Sequence, residues 1–308
     1  MRPKRLRCGD TIGIVAPASC SDPETVDQVL CYVEASGFKY KAGRSLYHYK
    51  GYLAGDDQVR ADDINDMFAD EEVDAVFCLR GGYGSARLLD RLDYKLIKRN
   101  PKIFIGYSDI TALHIAINQR TGLVTFHGPM LASNMVKGMD QFSIASMENA
   151  LMVKNTSIEI CNPPGYPVKA YKGGAARGKL VGGNLSVLVS TLGSPYEIDT
   201  GGKLLFLEDV DEEPYRIDRM LNQLRLAGKL EAAAGIVLCD WNGCDAKEPE
   251  KSLGLEEIFK DMAERLNKPV LSGYKIGHCS PVLTVPVGAE AEIDADKICF
   301  RITEKMVK

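Results

Sequence analysis

The chain has 308 residues, 45% hydrophobic and 26% charged, which is enough for about two globular domains and excludes disordered, collagenous and coiled-coil classes. Its 42 acidic and 38 basic residues leave a net charge of -4, which supplies no global field for nucleic acid, and no run approaches the ~18 apolar residues of a membrane-spanning helix. The nine cysteines, at 8, 20, 31, 78, 161, 239, 244, 279 and 299, are odd in number, scattered and without a CxxC pair, a pattern expected of reduced thiols in a cytoplasmic protein.

In chain order, Arg2, Lys4, Arg5 and Arg7 precede an apolar run over 11–18 and so imitate a short signal peptide. Gly13 and Pro17 interrupt that run, and a first β-strand over 11–16 accounts for it better. Ser21 or Asp22 with Pro23 and Glu24 makes a helix start, continuing to about Ser36 before Gly37. Asp56 opens a second helical pattern through Ile64, Met67 and Phe68, and a buried strand over 73–79 ends in Arg80-Gly81-Gly82-Tyr83-Gly84. Another helix starts near Ser85; a strand over 102–107, a helix over 109–119 and a strand over 123–126, stopping at His127-Gly128-Pro129, follow. Short β-rich runs alternating with helical patterns predict a doubly wound parallel α/β domain over 1–150.

Pro163-Pro164-Gly165, Gly173-Gly174 and Gly182-Gly183 mark a compositional shift, predicting a linker over 151–180 and a C-terminal domain over 181–308. That domain reads as a helix over 185–192, a strand over 203–207, a helix over 215–227, a strand over 235–239, a helix over 255–266, and β-rich segments over 282–287 and 298–302. It is mixed and richer in β toward its end.

Ligands of open parallel sheets bind at the carboxyl ends of the strands, so the residues there are the candidates for chemistry. Arg80-Gly81-Gly82-Tyr83-Gly84 offers backbone N–H groups unobstructed by side chains: a phosphate cradle, an oxyanion hole or a tight turn. Ile105-Gly106-Tyr107-Ser108-Asp109 joins a strand directly to a helix, so the Ser108 hydroxyl projects into the crevice, although a simple helix N-cap would use the same residue. A serine nucleophile needs a base, and the histidines number four, at 48, 114, 127 and 278. His114 lies about 9 Å along the helix from Ser108 and on another face, and His48 has no catalytic neighbours. His127 and His278 both end β-rich segments, and spacing does not choose between them. Glu208, directly abutting the apolar strand Leu204-Leu205-Phe206-Leu207, could orient a histidine, whereas Asp211, Glu212 and Glu213 read as a solvated acidic loop. Cys239 and Cys244 lack the further ligands of a zinc site, and neither a metal nor another cofactor is expected.

These motifs together resemble the LD-carboxypeptidases that act on murein peptides and their relatives, the microcin-immunity serine peptidases. The resemblance runs nearly end to end: 9–19 near the start, Arg80-Gly81-Gly82-Tyr83-Gly84, Gly106-Tyr107-Ser108-Asp109, Phe126-His127-Gly128-Pro129, Gly182-Gly183-Asn184-Leu185, Leu207-Glu208-Asp209-Val210 and Gly277-His278. It implies a glutamine-amidotransferase-like α/β domain followed by a swivelling β-rich α/β barrel, with the site between them and commonly a homodimer. It also implies Ser108 as nucleophile, His278 as general base and then acid, Glu208 as the histidine's orienting partner, and Gly82 and Asp109 as backbone oxyanion donors. His127 then falls to a structural or supporting role. Arg80 is a candidate for holding the substrate's free carboxylate. The substrate implied is a small murein tetrapeptide losing its terminal D-Ala during cell-wall recycling, with neither nucleic acid nor membrane as partner. A microcin-immunity-type peptidase cleaving a peptide-nucleotide conjugate, and a non-catalytic module binding a nucleotide or peptidoglycan fragment, are the alternatives.

Overall fold

The computed structural model describes residues 1–308 and divides them into two compact units. The first comprises Met1–Asn155 with Thr284–Val287 and Lys305–Lys308; the second comprises Thr156–Leu283 and Gly288–Glu304. No helix in either is long and apolar enough to cross a membrane.

In the first unit the chain runs through β1 (Thr11–Val15), α1 (Pro23–Ala35), β2 (Lys39–Ala42), α2 (Asp57–Ala69), β3 (Ala75–Cys78), α3 (Tyr94–Arg99), β4 (Ile103–Gly106), α4 (Thr111–Thr121), β5 (Thr125–His127) and α5 (Gln141–Leu151). The sheet order is β5-β4-β3-β1-β2, all parallel, and Val285–Val287 adds an antiparallel strand beside β5. Every residue of β3 and β4 is buried, as an apolar strand covered on both faces requires. Local signals set the helix ends. Asp22 caps α1 by accepting from the Thr25 N–H at 2.8 Å, Pro23 occupies the first turn, and Val26, Val29 and Val33 form the buried stripe. Phe104 of β4 is fully buried and stacks on Phe68 of α2 at 6.2 Å between ring centroids. Truncating such a phenylalanine to alanine costs about 3–5 kcal/mol, so this contact anchors α2 to the sheet.

The second unit holds β6 (Ile158–Glu159), β7 (Lys169–Lys172), β8 (Ala175–Asn184), α6 (Leu185–Ser190), β9 (Leu204–Val210), α7 (Pro214–Leu226), α8 (Lys229–Ala232), β10 (Gly235–Asn242), α9 (Leu255–Glu264) and β11 (Val270–Ser272), with β13 (Glu290–Asp294) and β14 (Cys299–Ile302) after the excursion of β12 (Val285–Val287) into the first unit. Its eight-stranded sheet, ordered β6-β14-β13-β8-β9-β10-β11-β7, curls into a half-barrel. Strands β8 to β11 pair in parallel at its centre, flanked by antiparallel strands. On α7, Ile217, Met220, Leu221 and Leu224 make the buried helical stripe.

This division departs from the expected boundaries in two respects. The Gly/Pro-rich stretch 151–180, expected as a linker, supplies β6, β7 and half of β8. The β-rich segment expected over 282–287 divides: its strand pairs with β5 of the first unit, because Val285 and Val287 bury completely only beside Phe126 and its neighbours. The helix expected from Ser85 is a short 3-10 turn, Ser85–Leu88, and α3 and α5 arise where no helix was anticipated.

Candidate active site

In the first unit, β4 delivers the chain to a sharp turn. Gly106 sits where an added Cβ would lie 3.0 Å from Ile110 and 3.1 Å from Cys78, so only glycine lets strand and following helix close this tightly. Tyr107 is still extended; Ser108 then adopts φ 64°, a left-handed conformation that costs a non-glycine residue about 1–2 kcal/mol. Strain of this kind at a serine on a strand-to-helix turn is a device for exposing a hydroxyl. A 3-10 turn, Ser108–Ile110, leads into α4.

The Gly-rich loop after β3 lies against that turn. A Cβ on Gly81 would stand 3.0 Å from Ser108 Cβ and 3.2 Å from its Oγ, so side-chain-free backbone lines the nucleophile candidate. Gly82, at φ 114°, packs on Ser19, whose Oγ a Cβ would meet at 2.3 Å; Ser19 Oγ in turn accepts from the Tyr83 N–H at 3.2 Å. Asp109 is buried, its carboxylate accepting from the Ser85 N–H at 2.7 Å while the Ser85 hydroxyl donates to the Asp109 carbonyl. Burial pushes the Asp109 carboxyl above the ordinary range, with the Ser85 and Gly84 N–H bonds opposing the shift. Arg80 donates from Nη1 to the Cys20 carbonyl at 3.2 Å, so part of its fork ties down the loop after β1.

The histidines of this unit sort by burial. His114 is fully enclosed, with Nδ1 on Thr125 Oγ1 at 2.9 Å and Nε2 on the Gly106 carbonyl at 2.8 Å, and burial pulls it down to about 4. It is a neutral strut fastening α4 to β4. His127 is equally buried on β5, its ring 5.9 Å edge-on from Tyr107. His48 is exposed.

In the second unit, β9 carries Glu208 two residues before its end, wholly buried, with Oε2 2.7 Å from His278 Nδ1 and Oε1 enclosed without a partner. A carboxylate on Nδ1 fixes the proton there and leaves Nε2 as the basic nitrogen. Burial by itself would lower the His278 pKa. The bond to Glu208, with the charges of Glu208, Asp209 and Asp211, outweighs it and holds the imidazole above its ordinary value. Next to Glu208, burial lifts Asp209 to about 6 against the N–H groups bound to its carboxylate. Asn184 Nδ2, the Ser186 N–H and the Val210 N–H each donate to that carboxylate at 2.9 Å. Asn184 also caps α6, accepting from Val187 N at 3.2 Å, so one side chain links the helix start to the acidic strand end.

Of the residues singled out from sequence, Ser108, Gly82, Asp109 and Arg80 thus gather in the first unit, and Glu208 and His278 in the second. Asp209 and Asn184 were not anticipated as a pair, although both lie in motifs already marked. No group of three or more His, Cys, Asp or Glu side chains is placed to hold a metal ion.

Comparison with known proteins gives consistent results. The LD-carboxypeptidase N-terminal domain matches residues 12–128, and the LD-carboxypeptidase C-terminal domain matches residues 177–293. A probable murein peptide carboxypeptidase of Bacillus subtilis (strain 168) is 49% identical over 293 residues, 95% of this chain and 91% of that protein. Among solved structures, the microcin C7 self-immunity protein MccF in its wild-type apo state aligns with a TM-score of 0.92 at 26% identity, covering 100% of both chains. The muramoyltetrapeptide carboxypeptidase from Oxalobacter formigenes aligns with a TM-score of 0.83 at 28% identity, over 94% of this chain and 97% of that one.

Proposed function

The chain belongs to the LD-carboxypeptidase family and is a peptidase, and from that premise we propose that it releases the terminal D-Ala from murein tetrapeptide through a Ser108-His278-Glu208 triad. The observation that carries this reading is the buried Glu208 carboxylate 2.7 Å from His278 Nδ1, the arrangement that orients a histidine for general-base work. The strained conformation of Ser108 supports the nucleophile's identity.

In this mechanism Ser108 Oγ attacks the carbonyl that joins the L-centre of a diamino acid to D-Ala, and His278 Nε2 takes the hydroxyl proton. The tetrahedral oxyanion is held by the backbone N–H groups of Gly82 and Asp109. As the C–N bond breaks, His278 returns the proton to the departing D-Ala amine. Water, deprotonated by the same histidine, then hydrolyses the acyl-enzyme and frees a tripeptide. Arg80, with guanidinium N–H groups beyond the one given to Cys20, would receive the free carboxylate of the leaving residue. The setting proposed is cytoplasmic cell-wall recycling, with the protein acting as a homodimer.

A second reading rests on the close structural match to MccF: a microcin-immunity-type peptidase that cleaves a peptide-nucleotide conjugate. The deciding experiment incubates purified protein with murein tetrapeptide and, separately, with an acyl-sulfamoyl adenylate, following D-Ala and nucleoside release. D-Ala release that Ser108→Ala abolishes supports the first reading. Cleavage of the adenylate alone transfers the assignment to the second, and full activity in Ser108→Ala removes the serine from its role.

A further inference from the structure

Arg60, on α2, is 0% exposed, as deeply enclosed as the apolar Ala61, Ile64 and Phe68 of the same helix. Enclosing a guanidinium is costly unless its donors are matched, and the partners of this one are unusual. Nη1 donates to the Pro17 carbonyl at 2.6 Å and to the Gly84 carbonyl at 2.9 Å, Nη2 pairs with Asp57, and Nε is buried without a partner. Asp57 is itself gripped by Arg87, whose Nε and Nη2 both reach its carboxylate at 2.8 Å. The main-chain atoms Arg60 holds belong to the loop after β1 and to the Gly-rich loop after β3, and the second of these lies against Ser108.

From each carbonyl a short path leads to Gly82. Pro17 lies two residues before Ser19, which donates its N–H to the Gly81 carbonyl at 3.3 Å, accepts from Tyr83 N, and packs on Gly82. On the other side, the Gly84 carbonyl faces the guanidinium while the Ser85 N–H of the same peptide group donates to the Asp109 carboxylate at 2.7 Å. Gly84 is at φ 124°, and a Cβ there would stand 2.8 Å from Arg60 Nη1, so the approach depends on glycine. The peptide of Gly84 is therefore held between a cation and an anion, and the anion belongs to the residue that follows Ser108.

We propose that Arg60 is a positioning residue for the oxyanion-binding backbone: by clamping the Pro17 and Gly84 carbonyls together it sets where the Gly82 N–H stands relative to the Asp109 N–H. This rests on the peptidase mechanism above. Lysine cannot substitute, because a single ammonium lacks the planar fork that serves two carbonyls and a carboxylate at fixed angles. Preorganised donors matter in the transition state and little in the ground state, so loosening them lowers kcat and leaves KM nearly alone.

The test compares wild type, Arg60→Lys and Ser19→Ala on murein tetrapeptide, with the rate of fluorophosphonate labelling and the affinity for a peptidyl aldehyde measured alongside. Arg60→Lys is expected to lower kcat by about 10–100-fold with KM within about threefold, and to weaken aldehyde binding in proportion, since losing an oxyanion donor outright costs on the order of 10²–10³ in kcat. Ser19→Ala, which leaves the buried charge in place, is expected to show a smaller loss with the same kcat-only signature, and it carries the test if Arg60→Lys fails to fold. An unchanged kcat in folded Arg60→Lys, or a loss appearing wholly in KM, overturns the inference while D-Ala release by wild type leaves the peptidase reading standing. Wild type that neither releases D-Ala nor labels removes that reading and this inference together.

Discussion

Gly277 and Glu208 approach so closely that no side chain fits at 277: a Cβ there would lie 2.5 Å from Glu208 Oε2, 2.7 Å from its Cγ and 2.8 Å from its Cβ. With φ at 116°, Gly277 lets the backbone pass over the carboxylate and sets His278 Nδ1 onto it. Gly277→Ala must push either the carboxylate or the histidine aside. A displacement of about 1 Å at a catalytic group costs on the order of 10² in rate, so kcat/KM is expected to fall by about that factor. Steady-state kinetics on a variant shown to be folded by circular dichroism checks it, and wild-type turnover would contradict the role given to the pair.

The raised His278 pKa has a pH signature. In the proposed role of general base the imidazole must be neutral, so the acid limb of the kcat/KM profile is expected above the ordinary histidine value of about 6.5. Glu208→Gln replaces the carboxylate that raises it by a neutral amide, so the limb moves to lower pH while the plateau drops by about 10²–10⁴. Stability follows with a definite sign. The folded state holds the His278 proton more tightly than the unfolded chain, so this contribution is fully present below the unfolded value and is lost as pH rises through the folded one. The midpoint difference between wild type and Glu208→Gln in urea should therefore shrink from pH 6 to pH 9. An acid limb that stays in place in Glu208→Gln would separate the titration from His278.

Much of the first unit could be read from sequence because its signals are local: the apolar runs that became β3 and β4, the Asp22-Pro23 helix start, and the strand-to-helix turn at Ser108. What escaped depends on contacts distant in sequence. Which histidine meets Glu208 is such a case: the family resemblance implied His278, but spacing alone did not choose between it and the buried His127, because His278 lies 70 residues from Glu208. Gly182, with Gly183, reads locally as a mark of a domain boundary. In fact it lies inside β8, where a Cβ would stand 1.9 Å from the Phe206 carbonyl, so glycine there permits close strand approach. Nothing local marks Arg60 among the charges of α2; the carbonyls that bury it lie 43 and 24 residues away in sequence.

Ser108 offers a direct measure of the strain stored at the candidate nucleophile. At φ 64° glycine relaxes a conformation that costs alanine and serine alike about 1–2 kcal/mol, while glycine's greater freedom in the unfolded chain returns part of that gain. Ser108→Gly is thus expected to be about 0.5–1 kcal/mol more stable than Ser108→Ala, with both unable to release D-Ala. Urea denaturation of the two inactive variants checks the difference, and equal midpoints would mean that the turn carries no such strain.

The returning segment Thr284–Val287 makes the first unit depend on chain that lies far along the sequence. Val285 pairs with His127 and Val287 with Thr125, both valines are fully buried, and the Thr284 N–H donates to Ser146 Oγ at 3.0 Å. A fragment ending at Asn155 keeps the nucleophile candidate and the Gly-rich loop, yet exposes one edge of β5 together with the apolar surface that those valines cover. An uncovered edge strand of this kind is a template for pairing with other chains. The fragment 1–155 is expected to associate or to unfold at lower urea than the full chain, and adding a peptide spanning 282–289 in excess should restore part of the loss. Because Glu208 and His278 are absent from it, the fragment is also expected to release no D-Ala even when the peptide is bound. Sedimentation and urea titration with and without the peptide test the first expectation, and a monomeric fragment as stable as the full chain would show that the sheet closes without its antiparallel edge.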